Sequence, residues 1–144
     1  MKKVFYNSWI ARAILFSDYT TITICAWVLT ICSRLEQSVI NHECTHSRQW
    51  VELTMLSGIL LWLGSLIFGY SVWWLALSTL TFYLWYGLEY LVRRVIGLFV
   101  LSEDRQKDAY RMVSFEREAR LAEKDDDYLE NSNYFAWINF YKTK

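Results

Sequence analysis

Charge and apolar residues are distributed very unevenly along the chain. No charged residue occurs from Leu53 to Leu88. A single helix over this stretch would be roughly 54 Å long, well beyond the ~30 Å hydrocarbon core of a bilayer. Residues 69–71 can form a turn near its middle, since Gly69 tolerates backbone angles that other residues avoid. The pattern therefore predicts a transmembrane hairpin, with helices over about 53–68 and 72–91.

The positive residues at the ends of this hairpin predict its orientation. Arg48, Arg93 and Arg94 flank it on one side, whereas the turn between its helices has no Lys or Arg. The positive-inside rule then places both termini on the cytoplasmic side of the membrane. Glu89, near the end of the second span, is expected to pair with Arg93 and to reach the interface. The alternative is a buried hairpin in a soluble protein, but 144 residues leave little chain to cover it.

The segments before the hairpin predict a small β element and then a helix. Residues 20–31 are rich in β-branched and aromatic side chains, which favours one bent strand or two short strands. A third membrane span over 19–32 is the alternative. A helix is predicted over 34–52, because Ser33 and Glu36 fit a capping box and no Pro or Gly interrupts the following residues.

The segments after the hairpin are more polar. Residues 102–108 form a polar connector, and residues 109–129 have helical periodicity that ends in a charge run. The aromatic tail, residues 134–141, has two interpretations. It lies in the lipid headgroup region as an amphipathic segment, or it packs as a short helix on the cytoplasmic part of the protein.

Composition excludes some classes of function. The formal net charge is zero and no basic stripe interleaves with aromatic residues, so nothing indicates a nucleic-acid partner. Apolar and aromatic residues are abundant for a soluble protein. The three cysteines form no C-x-x-C pair, and their odd number predicts no disulfide framework.

The strongest chemical signal is the pentapeptide that runs from His42 to His46 with Glu43 at its second position. It fits H-E-x-x-H, the zinc-binding helix of metallopeptidases, and it contains both histidines of the chain. Residues four apart share a helix face, so both imidazoles can bind one ion while Glu43 holds a water molecule beside it. Gln49 shares this face and is a candidate to orient an imidazole. The alternative is a helix with two ordinary histidines.

A catalytic zinc ion usually takes three protein ligands and one water molecule. With no third histidine, the third ligand must be Asp, Glu or Cys. Cys44 would point away from the ion, because it lies two residues from each histidine on the helix. Glu116 and Glu118 are the best candidates, and they point to different sides of a helix, so only one can face the metal.

At these residues the chain resembles the gluzincin zinc metallopeptidases, which carry H-E-x-x-H on one helix and a glutamate, often in E-x-x-A-D, on a later one. The stretch from Glu116 to Ala119 matches E-x-x-A, so the resemblance implies that Glu116 is the third ligand and Glu118 the alternative. Arg120 stands where the family usually has Asp. A membrane hairpin between the two motifs is also similar to membrane-integrated members such as the prenyl-protein peptidases, and to small bacterial membrane proteins of the same type.

The resemblance implies a mainly α membrane protein with a small β element, a zincin-like H-E-x-x-H helix and one domain over 1–144. The expected function is Zn²⁺-dependent hydrolysis of peptide or protein substrates at the cytoplasmic face of the bacterial inner membrane. Glu43 would be the general base, and Tyr110 or Arg111 would stabilise the oxyanion. The alternatives are a non-catalytic zinc-binding membrane protein and a small scaffold or partner subunit. A homo-oligomer would supply a deeper substrate groove than one short chain.

Overall fold

The protein is mainly helical with one small three-stranded sheet. The structure, a computed structural model, describes residues 3–15, 19–97 and 109–141. The polar connector predicted over 102–108 lies outside the described residues. The chain forms two compact units: Met1–Val51 with Ala119–Tyr134, and Glu52–Glu118 with Phe135–Lys144.

The sheet belongs to the first unit. Its strands are β1 (Val4–Phe5), β2 (Thr21–Ile24) and β3 (Trp27–Thr30) in the order β1-β3-β2, with β1 parallel and β2 antiparallel to β3. A two-residue turn joins β2 to β3, and Cys25 adopts a φ of 56° there. The prediction of two short strands is confirmed, and the alternative of a membrane span over 19–32 is wrong. The threonines of these strands explain this result, because Thr21 and Thr30 pair their hydroxyls across the strands at 3.0 Å.

Helix α1 (Trp9–Ile14) follows β1, and helix α2 (Gln37–Phe68) is the longest element of the chain. Helix α2 is continuous through the predicted boundary between a motif helix and a first membrane span. It begins later than the capping box predicts, since the first carbonyl to accept an amide is that of Glu36, from Ile40 at 3.1 Å. The capping-box prediction is therefore wrong.

The chain turns where the apolar pattern predicts. Gly69, directly after α2, has a φ of 68°, a left-handed conformation that glycine adopts without a steric penalty. Tyr70 folds back and donates its hydroxyl to the Leu61 carbonyl at 2.8 Å. Gly64 makes room for that ring, because a Cβ there would lie 2.2 Å from the Tyr70 oxygen.

The return segment differs from the single helix predicted over 72–91. It consists of a 3₁₀ helix (Val72–Leu80) followed by helix α3 (Thr81–Gly97). Among the described residues, α2 is the one helix that is both long and apolar enough to cross a bilayer. The tighter 3₁₀ turns leave α3 too short to meet the same criterion alone.

The helix predicted over 109–129 is broken. Helix α4 (Ser114–Ala122) is followed by α5 (Tyr128–Asn131), and the charged residues between them form turns and are mostly exposed. The tail forms a 3₁₀ helix (Ala136–Tyr141). Its Trp137 is almost completely buried, with its ring centroid 4.7 Å from that of Phe115, so the tail packs on protein in the second unit.

Candidate metal centre

The two histidines converge within the first unit. His42 and His46 occupy one face of α2, and their Nε2 atoms lie 3.2 Å apart. The two rings are nearly perpendicular, with an interplanar angle of 81°. His46 is buried and His42 is partly exposed, so the point on which both nitrogens converge lies at the edge of the protein interior.

The other ring nitrogen of each histidine faces an oxygen. His42 Nδ1 lies 2.6 Å from Glu123 Oε1, and His46 Nδ1 lies 2.9 Å from Gln49 Oε1. A carboxylate and an amide oxygen both accept, so each Nδ1 carries the proton and donates it. Each Nε2 of a neutral imidazole is then left as an acceptor. Histidine ligands of metals typically have their second nitrogen held in this way.

This arrangement has an electrostatic consequence. Two neutral imidazoles held by Glu123 and Gln49 direct Nε2 lone pairs toward each other at 3.2 Å, which is repulsive. A positive charge at the point of convergence removes the repulsion. That charge is either a metal ion or a proton on one of the two imidazoles.

Glu43 lies beside His42 on the same helix and is held by the sheet. The Thr23 hydroxyl, on β2, lies 2.6 Å from Glu43 Oε2 and 3.2 Å from the Glu43 carbonyl oxygen. The Glu43 side chain is partly exposed. One carboxylate oxygen is therefore held by Thr23 while the group stays within reach of water.

The carboxylates predicted as third ligand lie on α4, in the residues that belong to the second unit. Glu116 and Glu118 are both almost completely buried, each with 1% of its surface exposed. Tyr86 donates its hydroxyl to Glu116 Oε1 at 2.9 Å. The candidate ligands His42, His46 and Glu116 are two imidazoles and one carboxylate. This set fits zinc, which takes nitrogen and carboxylate oxygen ligands.

The two candidates for oxyanion stabilisation, Tyr110 and Arg111, lie at the protein surface. Tyr110 is partly exposed, with its ring centroid 6.4 Å from that of Tyr86, and Arg111 is exposed. Both belong to the second unit. Their catalytic role stays a prediction.

Sequence reasoning missed three residues that contact the candidate base or the candidate ligands: Thr23, Tyr86 and Glu123. The family resemblance expects an aspartate at position 120, where this chain has Arg. Glu123 lies one helical turn beyond that position and contacts His42, so a search for the nearest displaced carboxylate could have found it. No local signal marks Thr23 or Tyr86, because each is distant in sequence from the residue that it contacts.

Polar side chains line α2 next to the histidines and are fully buried. Asn41 donates toward the carbonyls of Asp125 and Asp126 at 3.3 and 3.5 Å, and Thr45 donates to the Asn41 carbonyl at 2.8 Å. Buried polar groups are stable only when they are paired. The two contacts of the Asn41 side chain hold the charged turn after α4 against the helix that carries both histidines.

Comparison of the chain with models of protein families, with curated proteins and with solved structures finds no match. The site is therefore interpreted from its own geometry and chemistry.

Proposed function

We propose that the protein is a membrane-associated, zinc-dependent metallopeptidase. The observation that carries the proposal is the 3.2 Å separation of the His42 and His46 Nε2 atoms. Two nitrogens bound at 2.0–2.1 Å to tetrahedral zinc lie about 3.3 Å apart. Both Nδ1 atoms point toward acceptors, so each Nε2 atom carries the lone pair that a metal ion binds.

Glu116 is proposed as the third ligand and Glu118 as the alternative. The E-x-x-A spacing selects Glu116, and its carboxylate is buried with a hydroxyl donor on one oxygen. A carboxylate ligand commonly has one oxygen held by a hydrogen bond while the other binds the ion. On a helix Glu118 is rotated by about 200° from Glu116, so the two cannot serve the same ion.

The residues of the chain have separate roles in hydrolysis. Zinc supplies Lewis-acid polarisation of the scissile carbonyl and lowers the pKa of water. Glu43 removes the proton of the attacking water and transfers it to the leaving amine. Thr23 fixes the Glu43 carboxylate, and Glu123 holds the tautomer in which His42 Nε2 is a ligand. Tyr110 or Arg111 is the proposed donor to the oxyanion.

The sheet provides a surface for an extended peptide. Strand β2 is an edge strand, and its Thr23 side chain contacts the proposed base. A substrate that pairs with this edge would therefore pass Glu43. The apolar half of α2 supports a location at a membrane, and the arginines at the ends of the apolar stretch favour the cytoplasmic side of the bacterial inner membrane. A second copy of the chain would complete a deeper groove.

The test compares Glu43→Gln with the wild-type protein and with Glu36→Gln, an exposed glutamate just before the same helix. We expect Glu43→Gln to keep its zinc while peptide hydrolysis falls by roughly 10²- to 10⁴-fold. Glu36→Gln is expected to keep both its bound zinc and its peptide hydrolysis. Zinc is measured by elemental analysis of the purified protein and hydrolysis with a mixed peptide library.

Other results would select other functions. Bound zinc with no hydrolysis by the wild type leaves a non-catalytic zinc protein. Full hydrolysis in Glu43→Gln contradicts the role of Glu43 as general base. Equal metal content in the wild type and in the His42→Ala/His46→Ala double variant contradicts the metal site and favours a scaffold subunit.

A further inference from the structure

One face of α3 holds the start of α4. Phe82, Tyr86 and Glu89 recur at helical spacing on this face. Phe82 packs its ring edge-on against Phe115 at 5.2 Å, and the other two make hydrogen bonds to α4. All of these residues belong to the second unit.

Glu89 is buried, with only 7% of its surface exposed, and its carboxylate binds the first residue of α4. Ser114 donates its backbone N–H at 2.9 Å and its hydroxyl at 2.7 Å. Tyr141 donates its hydroxyl at 2.7 Å, whereas Arg93 lies 3.4 Å away. The pairing with Arg93 that the sequence predicts is therefore the longest of four contacts.

A carboxylate at this position is a helix cap. The first amides of a helix lack partners within it, and the helix dipole favours negative charge at its N-terminus. Glu89 satisfies the Ser114 amide from a neighbouring helix instead of from the preceding residues. It thereby determines where α4 begins along α3.

Tyr86 makes the second attachment of α3 to α4, at Glu116, two residues after Ser114. Its hydroxyl donates to Glu116 Oε1 at 2.9 Å, and its ring stacks on Phe115 with an interplanar angle of 8°. One attachment to a helix leaves it free to rotate or slide. Attachments at Ser114 and Glu116 restrict both motions, because these residues differ by about 200° in direction and 3 Å along the axis.

We infer that Tyr86 and Glu89 are positioning residues that hold the Glu116 carboxylate ready to bind the metal. The inference rests on the proposed function, because it assigns the residues that support its third ligand. Neither residue touches the reacting atoms. Groups that orient a metal ligand typically change metal affinity by roughly 10- to 100-fold when they are removed.

The first experiment measures the zinc dissociation constant of the full-length protein by chelator competition. Tyr86→Phe removes one oxygen and keeps the ring, and we expect the dissociation constant to rise about tenfold or more. Tyr90→Phe is the matched control on the same helix, because Tyr90 has no hydrogen bond or ring contact with any described residue. It is expected to change affinity less than threefold.

The second experiment tests the cap with Ser114→Ala and Glu89→Gln. Ser114→Ala is the milder change, so it gives an answer even if Glu89→Gln does not fold. Both are expected to weaken zinc binding and to speed hydrogen exchange of the α4 amides in metal-free protein. A loss of fold alone would speed exchange throughout the chain, including that of β3.

Failure of the inference is distinguishable from failure of the proposed function. If Tyr86→Phe and Ser114→Ala bind zinc like the wild type while Glu116→Ala does not, the positioning role is overturned and the ligand set stands. If Glu116→Ala itself binds zinc like the wild type, the proposed third ligand is wrong and the inference falls with it.

Discussion

The two halves of helix α2 reverse the usual relation between polarity and burial. In the first half, Asn41, Thr45 and Gln49 are fully buried. In the second half large apolar side chains are exposed, and Leu60 and Phe68 have 61% and 78% of their surface accessible. One continuous helix therefore carries buried polar side chains in its first half and exposed apolar side chains in its second half. Its first half suits a protein interior of paired polar groups, and its second half suits lipid.

The physical condition that makes a side chain stable differs between the two halves of α2. A polar side chain is stable inside protein when its donors and acceptors are paired, as those of Asn41 and Thr45 are. An apolar side chain on the surface is stable when its surroundings are hydrocarbon. The exposed half of α2 therefore supports a membrane location more strongly than its length alone.

The largest expected effect comes from a charge in the middle of the apolar half. Leu60→Arg is expected to cost about 2.5–3.5 kcal/mol of insertion free energy, because it moves a charge into the centre of the bilayer. The measurement is the fraction of protein inserted in membranes, determined by alkaline extraction after expression.

The matched control is Leu121→Arg on α4, which changes a leucine that is 45% exposed outside the apolar stretch. It is expected to change stability by no more than about 0.5 kcal/mol. Equal, small effects of both substitutions would mean that α2 does not lie in lipid.

A smaller effect is expected in the polar half from Asn41→Leu. The change removes the donor to the Asp125 carbonyl and the acceptor for the Gln37 amide, which lies 2.8 Å from Asn41 Oδ1. The unfolding free energy should fall by about 1–3 kcal/mol, since the fully buried Asn41 side chain loses its hydrogen bonds. Denaturant unfolding in detergent measures it, and Gln37→Ala measures the share that comes from the Gln37–Asn41 hydrogen bond alone. A more stable Asn41→Leu protein would contradict the requirement for paired polar groups here.

The smallest effect tests the close approach of Tyr70 to Gly64 at the turn after α2. Gly64→Ala favours the helix by about 1 kcal/mol, but its methyl group displaces the Tyr70 hydroxyl from Leu61 and costs about 0.5–1.5 kcal/mol. When Tyr70 is present, the gain in helix stability and the cost of the lost hydrogen bond nearly cancel. In a Tyr70→Ala background the same change should stabilise the protein. A double-mutant cycle of thermal unfolding that shows no coupling between residues 64 and 70 would contradict the contact.

Some elements could be predicted because their signals are local. The hairpin turn at Gly69, the strands over residues 20–31 and the helical pairing of His42 with His46 all follow from periodicity and from residue types close in sequence. The start of α4 at Ser114, inside the helix predicted over 109–129, could not, because it depends on Glu89, which caps Ser114 from a different helix. The predicted start of α2 was too early, because Ser33 and Glu36 match a capping box, whereas helical hydrogen bonding begins at the Glu36 carbonyl.

The residues of the candidate site also divide into those that a local sequence pattern predicts and those that it does not. The pattern of residues 42–46 predicts two candidate ligands and a candidate base, since a helix brings positions four apart onto one face whatever surrounds them. The residues that set the tautomer of His42 and the orientation of Glu43 and Glu116 are Glu123, Thr23 and Tyr86. Only the tertiary structure identifies them, because each hydrogen bond joins residues that are 20 to 81 positions apart in the chain.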